Sequence, residues 1–302
     1  MPGILTELRW RELLPGQRSE IWTMDIDSGE QHLVFACADR VLEAPNWSPD
    51  GRWLVVNSAG SLFRLPARDA HELQFIETGH ITDNNNDHLI SRDGAVVYTS
   101  SELSGQIYAV PLDGGEPQRV SNDSDAPFGY FLQGVSPDGS LLAYAGGEQR
   151  GEMPLVMNLF TIAAHGGSDV RLTDWDTDAV GCEFSPDGTW LYFNSEHEAQ
   201  SRGHMQLYRM RTDGTGIECL SRDERPLWFP KPSPDGSVVI YLAFPTGTVG
   251  HGANLPVTIR AMDPDGQRHR DVVRLHGGQG TLNVNNWAPD GRRFAYISYP
   301  AK

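Results

Sequence analysis

Three stretches of the chain hold residue types that could do chemistry. Asp83-Asn84-Asn85-Asn86-Asp87-His88 sets three amides between acids, a supply of oxygen ligands and amide donors suited to a hard cation or a sugar. Glu196-His197-Glu198, with His204 close behind, are metal-ligand types, although their spacing matches no zinc signature. Thr246 to Asn254 sets His251 among Gly and small residues, the composition of a loop that closes over a ligand. It lacks the Gly-Lys-Ser/Thr ending of a phosphate-binding loop. Each stretch also has a plainer reading: a polar connection whose Asn residues cap turns, solvated loop histidines, and a flexible link.

A fourth candidate is a register rather than a stretch. Ser48-Pro49-Asp50-Gly51 recurs as Ser91-Arg92-Asp93-Gly94, Ser136-Pro137-Asp138-Gly139, Ser185-Pro186-Asp187-Gly188, Ser233-Pro234-Asp235-Gly236 and Ala288-Pro289-Asp290-Gly291. Two residues before each stand Asn46, Leu89, Gly134, Glu183, Lys231 and Asn286. Three before stand Pro45, His88, Gln133, Cys182, Pro230 and Asn285. Alternation puts the two sets on opposite sides of a strand. If those strands line a channel, one set forms a polar ring in which Glu183 and Lys231 pair, and the plainer reading is a water-filled channel. The ligand-binding candidates are therefore Asn46, Asp87, His88, Gln133, Glu183, Lys231, His251, Asn285 and Asn286. For a divalent cation the candidates are His88, His197, His204 and His251. No Gly-x-Ser-x-Gly elbow or other nucleophile constellation is visible.

The elements that must position these residues follow from the tetrapeptide. Its copies lie 43, 45, 49, 48 and 55 residues apart, a period that marks propeller blades. Pro presets φ, Asp bonds its own backbone and Gly supplies positive φ, so each copy is a tight turn. Short β-branched and aromatic runs such as Trp53-Leu54-Val55-Val56 and Trp190-Leu191-Tyr192-Phe193 follow the turns, as strands do. A second hairpin recurs between the copies, from Ile21-Trp22-Thr23-Met24 to Ile259-Arg260-Ala261-Met262. In five of six cases its turn contains Gly, and the second copy has Arg68-Asp69-Ala70 instead. Two hairpins make a four-stranded blade, and six blades make a ring. The expected fold is all-β: a six-bladed β-propeller of four-stranded antiparallel blades. A mixed blade of residues near 21–35 and 281–299 closes it and leaves no open edge. Residues 1–20 are expected to be a lead-in anchored by Trp10, Leu13 and Leu14, and 21–302 the single propeller domain.

The Ser-Pro-Asp-Gly turn, the Leu/Ile-Tyr-x-Met run, the Asp-Gly-Gly turn and the Leu-Thr ending resemble the WD40-like propeller repeats of the TolB family over roughly residues 20–299. The resemblance implies the fold and a binding role, on a repeat that serves many unrelated functions. Periplasmic TolB carries an export signal and a separate N-terminal α/β domain, which are not seen here, so its partners are not carried over. Some propeller oligogalacturonate lyases share the repeat style, but their full ligand sets are not found.

The long segments, including Asp83–His88, Gly146 to Asn158, Asn194 to Gln206 and Phe244 to Val257, fall on the face opposite the tetrapeptide turns. The expected function is a scaffold that binds a protein or a small polar ligand such as a sugar through that face and the channel mouth, without catalysis. The alternative is a carbohydrate lyase or hydrolase, metal-dependent or not, using His and acid side chains there. A net charge of −16 argues against nucleic acid. No run approaches the ~18 apolar residues of a membrane span, so no membrane insertion is expected. The first twenty residues hold no apolar run of a signal peptide, and three cysteines on separate repeats fit reduced thiols. Both point to the cytoplasm, or to the periplasm if the chain is a processed form.

Overall fold

A computed structural model describes residues 10–151, 155–199 and 201–301. It is an all-β ring of six blades, with no helix among the described residues. Five blades are four-stranded antiparallel sheets in which sequence order is spatial order. Their innermost strands are Glu43–Trp47, Asn84–Ile90, Phe128–Val135, Ala179–Phe184 and Leu227–Pro232. The sixth blade joins the chain ends. Ser19–Asp25 pairs with Gln31–Cys37 on one side and with Arg293–Ser298 on the other. Its innermost position is thin, held by the Trp287–Phe294 bridge and the Ala295 N–H to Asn286 carbonyl bond at 2.8 Å.

The repeated turns show why the tetrapeptide recurs. In each of the first five copies the Ser hydroxyl donates to the Asp carboxylate at 2.5–2.6 Å. The same oxygen accepts the amide of the residue five positions on at 2.9–3.1 Å. The Gly amide closes the turn onto the first residue's carbonyl, with φ between 70° and 75° in all six copies. In the sixth copy Ala288 lacks the hydroxyl, and Asp290 takes the Arg292 and Arg293 amides and the Arg293 guanidinium instead. In the gly-less second hairpin turn, Asp69 itself adopts φ 49°.

Every blade from one to five has a bulge in its innermost strand. In blade one, Glu43 faces Asn57 and Asn46 faces Val55, so three steps on one strand match two on the other. Ala44, Gly181 and Phe229, each four residues before its tetrapeptide, take the positive φ of such a bulge. Adjacent blades are tied at these points. Asn194 Oδ1 accepts the Phe229 amide at 3.0 Å, Gln133 Oε1 accepts the Gly181 amide at 2.7 Å, and Asn57 Nδ2 donates to the Asn84 carbonyl at 2.7 Å.

Some expected loops are strands. Asp83–His88 is not a connection: Asn84 to His88 open a wholly buried innermost strand. The repeat register sets this, because in every four-stranded blade the residues just before the tetrapeptide form the innermost strand, and the polar side chains face the channel or bond blade one. Gly146–Glu148 and Val156–Asn158 extend their own strands, with residues 152–154 outside the described set. Ala253–Val257 likewise belongs to a strand. Of the lead-in, residues 1–9 lie outside the described residues. Leu13 packs on the core, whereas Leu14 is exposed.

Candidate functional site

The channel opens on the loop-rich face into a cavity of about 780 Å³. The residue five before each tetrapeptide lines it in every blade: Glu43, Asn86, Phe131, Val180, Trp228 and Asn283. Asp87, Glu102, Asp178, Gln133, Phe229, His251, Trp10 and Arg11 complete most of the wall. The tetrapeptide end holds a smaller cavity of about 180 Å³ lined by Asn46, Arg92, Glu183, Asn285 and Trp287 among others.

Blade two supplies the polar floor of the mouth. Asp83 is satisfied by the Ser101 hydroxyl and the Leu103 amide, both at 2.7 Å, and Asn84 Nδ2 donates to the Gly60 carbonyl at 2.7 Å. Asn85 Oδ1 accepts the Asp87 amide at 2.8 Å. Asn86 and Asp87, 9% and 8% exposed, have no side-chain hydrogen bond or ion pair among the described residues and face the cavity. Burial, then the charges of Glu102 and Glu43, push the Asp87 carboxyl up to about 7 against the pull of Lys231. Glu43 and Glu102 are themselves raised, chiefly by burial. Asp178 is raised by burial although it accepts the Met157 amide at 2.9 Å.

Among the described residues Arg11 is the one basic wall residue besides His251, and its Nη1 and ring face are engaged while Nη2 has no partner there. It lies 3.2 Å from Glu43, donates to the Gln279 carbonyl at 2.6 Å and stacks 4.0 Å above the Tyr299 ring. His251 is docked on the rim. It packs edge-on against Trp228 at 4.5 Å and Phe229 at 5.3 Å, and its Nδ1 shares a hydrogen bond with Gln279 Oε1. Burial pulls its pKa down.

Below the mouth is the waist. Lys231, wholly buried, lies 3.6 Å from Glu183 on the neighbouring blade. Burial raises the Glu183 carboxyl, opposed first by Lys231. His88 is buried neutral, pulled down to about 4 by desolvation, with Nε2 3.2 Å from the Val55 carbonyl. Asn46 bridges blades by accepting the Ile90 amide at 2.8 Å and donating to the Asn285 carbonyl at 2.6 Å. Asn286 Nδ2 donates to the Ala295 carbonyl at 2.7 Å.

The sequence candidates therefore separate. Asp87, Gln133 and His251 line the mouth, and Asn46, Glu183 and Asn285 line the opposite cavity. The histidines named for a cation each have their own partner. His197 stacks on Trp175 at 3.9 Å, and His204 Nε2 lies 3.0 Å from the Asp223 carbonyl. Glu196 accepts the Gly203 amide at 2.5 Å. Among the described residues no group of three or more His, Cys, Asp or Glu has metal-ligand placement. Sequence reasoning missed Glu43, Glu102, Phe131, Trp228 and Phe229. The signal that would have found most of them is the position five before each tetrapeptide, hidden because the bulge breaks the alternation.

No family model matches the chain. It is 35% identical to an uncharacterised protein of Agrobacterium fabrum over 285 residues, 93% of this chain and 92% of the relative. The solved structure of a provisionally named TolB from Agrobacterium tumefaciens superposes with a TM-score of 0.86 at 35% identity, covering 95% of this chain and 99% of that one. TolB from Acinetobacter baumannii (TM-score 0.61, 16% identity, 87% of this chain and 64% of that one) shares the fold. So does an oligogalacturonate lyase in complex with manganese (TM-score 0.57, 14% identity, 90% and 75%).

Proposed function

We propose that this chain, which belongs to the family of TolB-like six-bladed β-propellers, is a binding propeller that takes its ligand or a partner's segment into the channel mouth without transforming it. One observation carries this reading: Asn86 and Asp87 are nine-tenths buried, without a side-chain partner among the described residues, and line a cavity of about 780 Å³. A buried polar group without a partner is costly, and a ligand that supplies one recovers that cost. The volume falls in the ~300–1,000 Å³ range of ligand sites. A cytoplasmic location is part of the proposal and fits three free thiols; fractionation of tagged protein tests it.

Trp10 and Trp228 on the wall make tryptophan fluorescence the readout. A panel of choline, putrescine, glucose, galacturonate, Ca²⁺, Mn²⁺ and short peptides is titrated into the parent, into Val180→Phe, which fills the mouth, and into Pro137→Ala at the far end. The expected result is a saturable change with at least one probe, lost in Val180→Phe and kept in Pro137→Ala. A silent panel, or a response indifferent to Val180→Phe, overturns the reading.

A second reading has one observation in its favour. A carboxyl near pH 7 suits a general acid, and Asp87 is such a group. Under it the chain cleaves an acidic oligosaccharide, as the name of the manganese-bound neighbour suggests for that protein. New reducing ends or unsaturated product from oligogalacturonate, abolished in Asp87→Asn, would establish it; neither product appears if the protein only binds.

A further inference from the structure

We infer that the ligand of the mouth cavity is a small organic cation of the alkylammonium class, an inference that rests on the binding reading above. The wall holds the carboxylates of Glu43, Asp87, Glu102 and Asp178. Of the basic wall residues described, Arg11 is bound through Nη1 to Glu43 and the Gln279 carbonyl and lies over the Tyr299 ring, with Nη2 left over, and His251 is held by Gln279. Lys231, beneath the floor, is paired with Glu183. Asp87 and Glu102 therefore face the cavity with no ion-pair partner among the described residues. Asn86 is a separate sign of a missing occupant, because its amide is nine-tenths buried, has no partner among the described residues and lines the same space.

The other walls decide what kind of cation fits. Phe131, Trp228 and Phe229 present aromatic surface to the cavity. Trp228 is 4% exposed and its Nε1–H finds no partner among the described residues. Aromatic faces attract cations through the ring quadrupole, and more strongly where water is excluded. A metal ion needs several oxygens within ~2.0–2.6 Å of one point. The described carboxylates have no such grouping, and the cavity is far larger than an ion. A neutral sugar would use the rings and amides but leave the two carboxylates unbalanced. An alkylammonium group meets all three demands: charge for Asp87 and Glu102, alkyl surface for the rings, and bulk for the volume. The raised Asp87 carboxyl agrees, since unbalanced negative charge around it is part of the cause.

Calorimetric titration of the full chain at pH 8 in phosphate buffer, free of competing amines, tests this with choline and putrescine. Glucose, galacturonate, Mn²⁺ and an acetylated lysine-bearing pentapeptide are parallel probes. At least one free amine is expected to bind saturably, and Asp87→Asn and Glu102→Gln are each expected to weaken it about tenfold or more. A variant counts only if it melts cooperatively, and either one alone suffices for the comparison. Amine binding that ignores both variants overturns the inference. Peptide binding without free-amine binding overturns the small-molecule source. Binding of sugar or Mn²⁺ alone overturns the cation but leaves the mouth as the binding site. Silence from every probe removes both.

Discussion

At the tetrapeptide end, Asp138 accepts the Ser136 hydroxyl at 2.6 Å and the Ser140 amide at 3.0 Å, and these bonds hold its carboxyl down at about 2. At the mouth, Asp87 accepts none among the described residues, and burial with neighbouring acids holds it up at about 7. The same side-chain type thus stands in opposite states on the two faces of one ring. Acids that repeat in every blade are satisfied locally and fix turns. Asp87, which does not repeat, has no side-chain partner among the described residues, and a ligand in the proposed site would relieve that cost. Function in this ring is better sought among residues that break the repeat than among those that make it.

Substitutions at the waist, the blade ties, the mouth and the turns should rank in that order. Lys231→Ala strands Glu183 as an unpaired buried charge, and chemical denaturation should show a loss of about 3–5 kcal/mol. A loss under ~1 kcal/mol would mean that the pair is hydrated and carries little. Gly181→Ala puts a Cβ 2.2 Å from Asn194 Oδ1 at φ 72°, disturbing the tie to Phe229. Such strain costs on the order of 1–3 kcal/mol in the same assay.

The mouth should respond in the other direction. Because the folded-state carboxyl of Asp87 lies above its unfolded value, its own contribution to stability falls as pH rises from about 4 to about 7 and is constant beyond. Asp87→Asn removes that penalty. At pH 8 the variant should gain at least about 1.4 kcal/mol, the equivalent of one pKa unit, and the gain should vanish toward pH 4. A variant less stable than the parent at pH 8 would show that Asp87 is structural. The turns should give the smallest effect. Ser185→Ala loses the bond to Asp187 and the Trp190 amide's acceptor, about 1 kcal/mol. The acid there has the opposite sign: Asp138, depressed to about 2, contributes above pH 3.8 and loses its contribution as pH falls toward 2.

The blades were legible because their signals are local. A Pro-Asp-Gly turn between apolar runs specifies its hairpin within ten residues, and the repeat supplies the rest. The ring closure was legible from the phase of the hairpins. The mouth was not, for a physical reason. Counting back from Glu183 or Lys231 by alternation puts Val180 and Trp228 on the wrong side, and one bulge residue restores them. Gly181 hints at that bulge, but Ala44 and Phe229 take positive φ without any sequence cue. Asp83–His88 misled in composition, since polar residues lining a channel read as a loop. Arg11 and Trp10 reach the wall from the lead-in, and Glu102 from a short connection, placements that only the folded ring defines.

The contrast between the two ends comes to one titration: choline against the parent, Asp87→Asn and Asp138→Asn, read as the rise in melting temperature. Binding confined to the mouth gives a rise in the parent that survives Asp138→Asn and disappears in Asp87→Asn. A rise that persists in Asp87→Asn, or is lost only in Asp138→Asn, would place the ligand elsewhere and contradict the account.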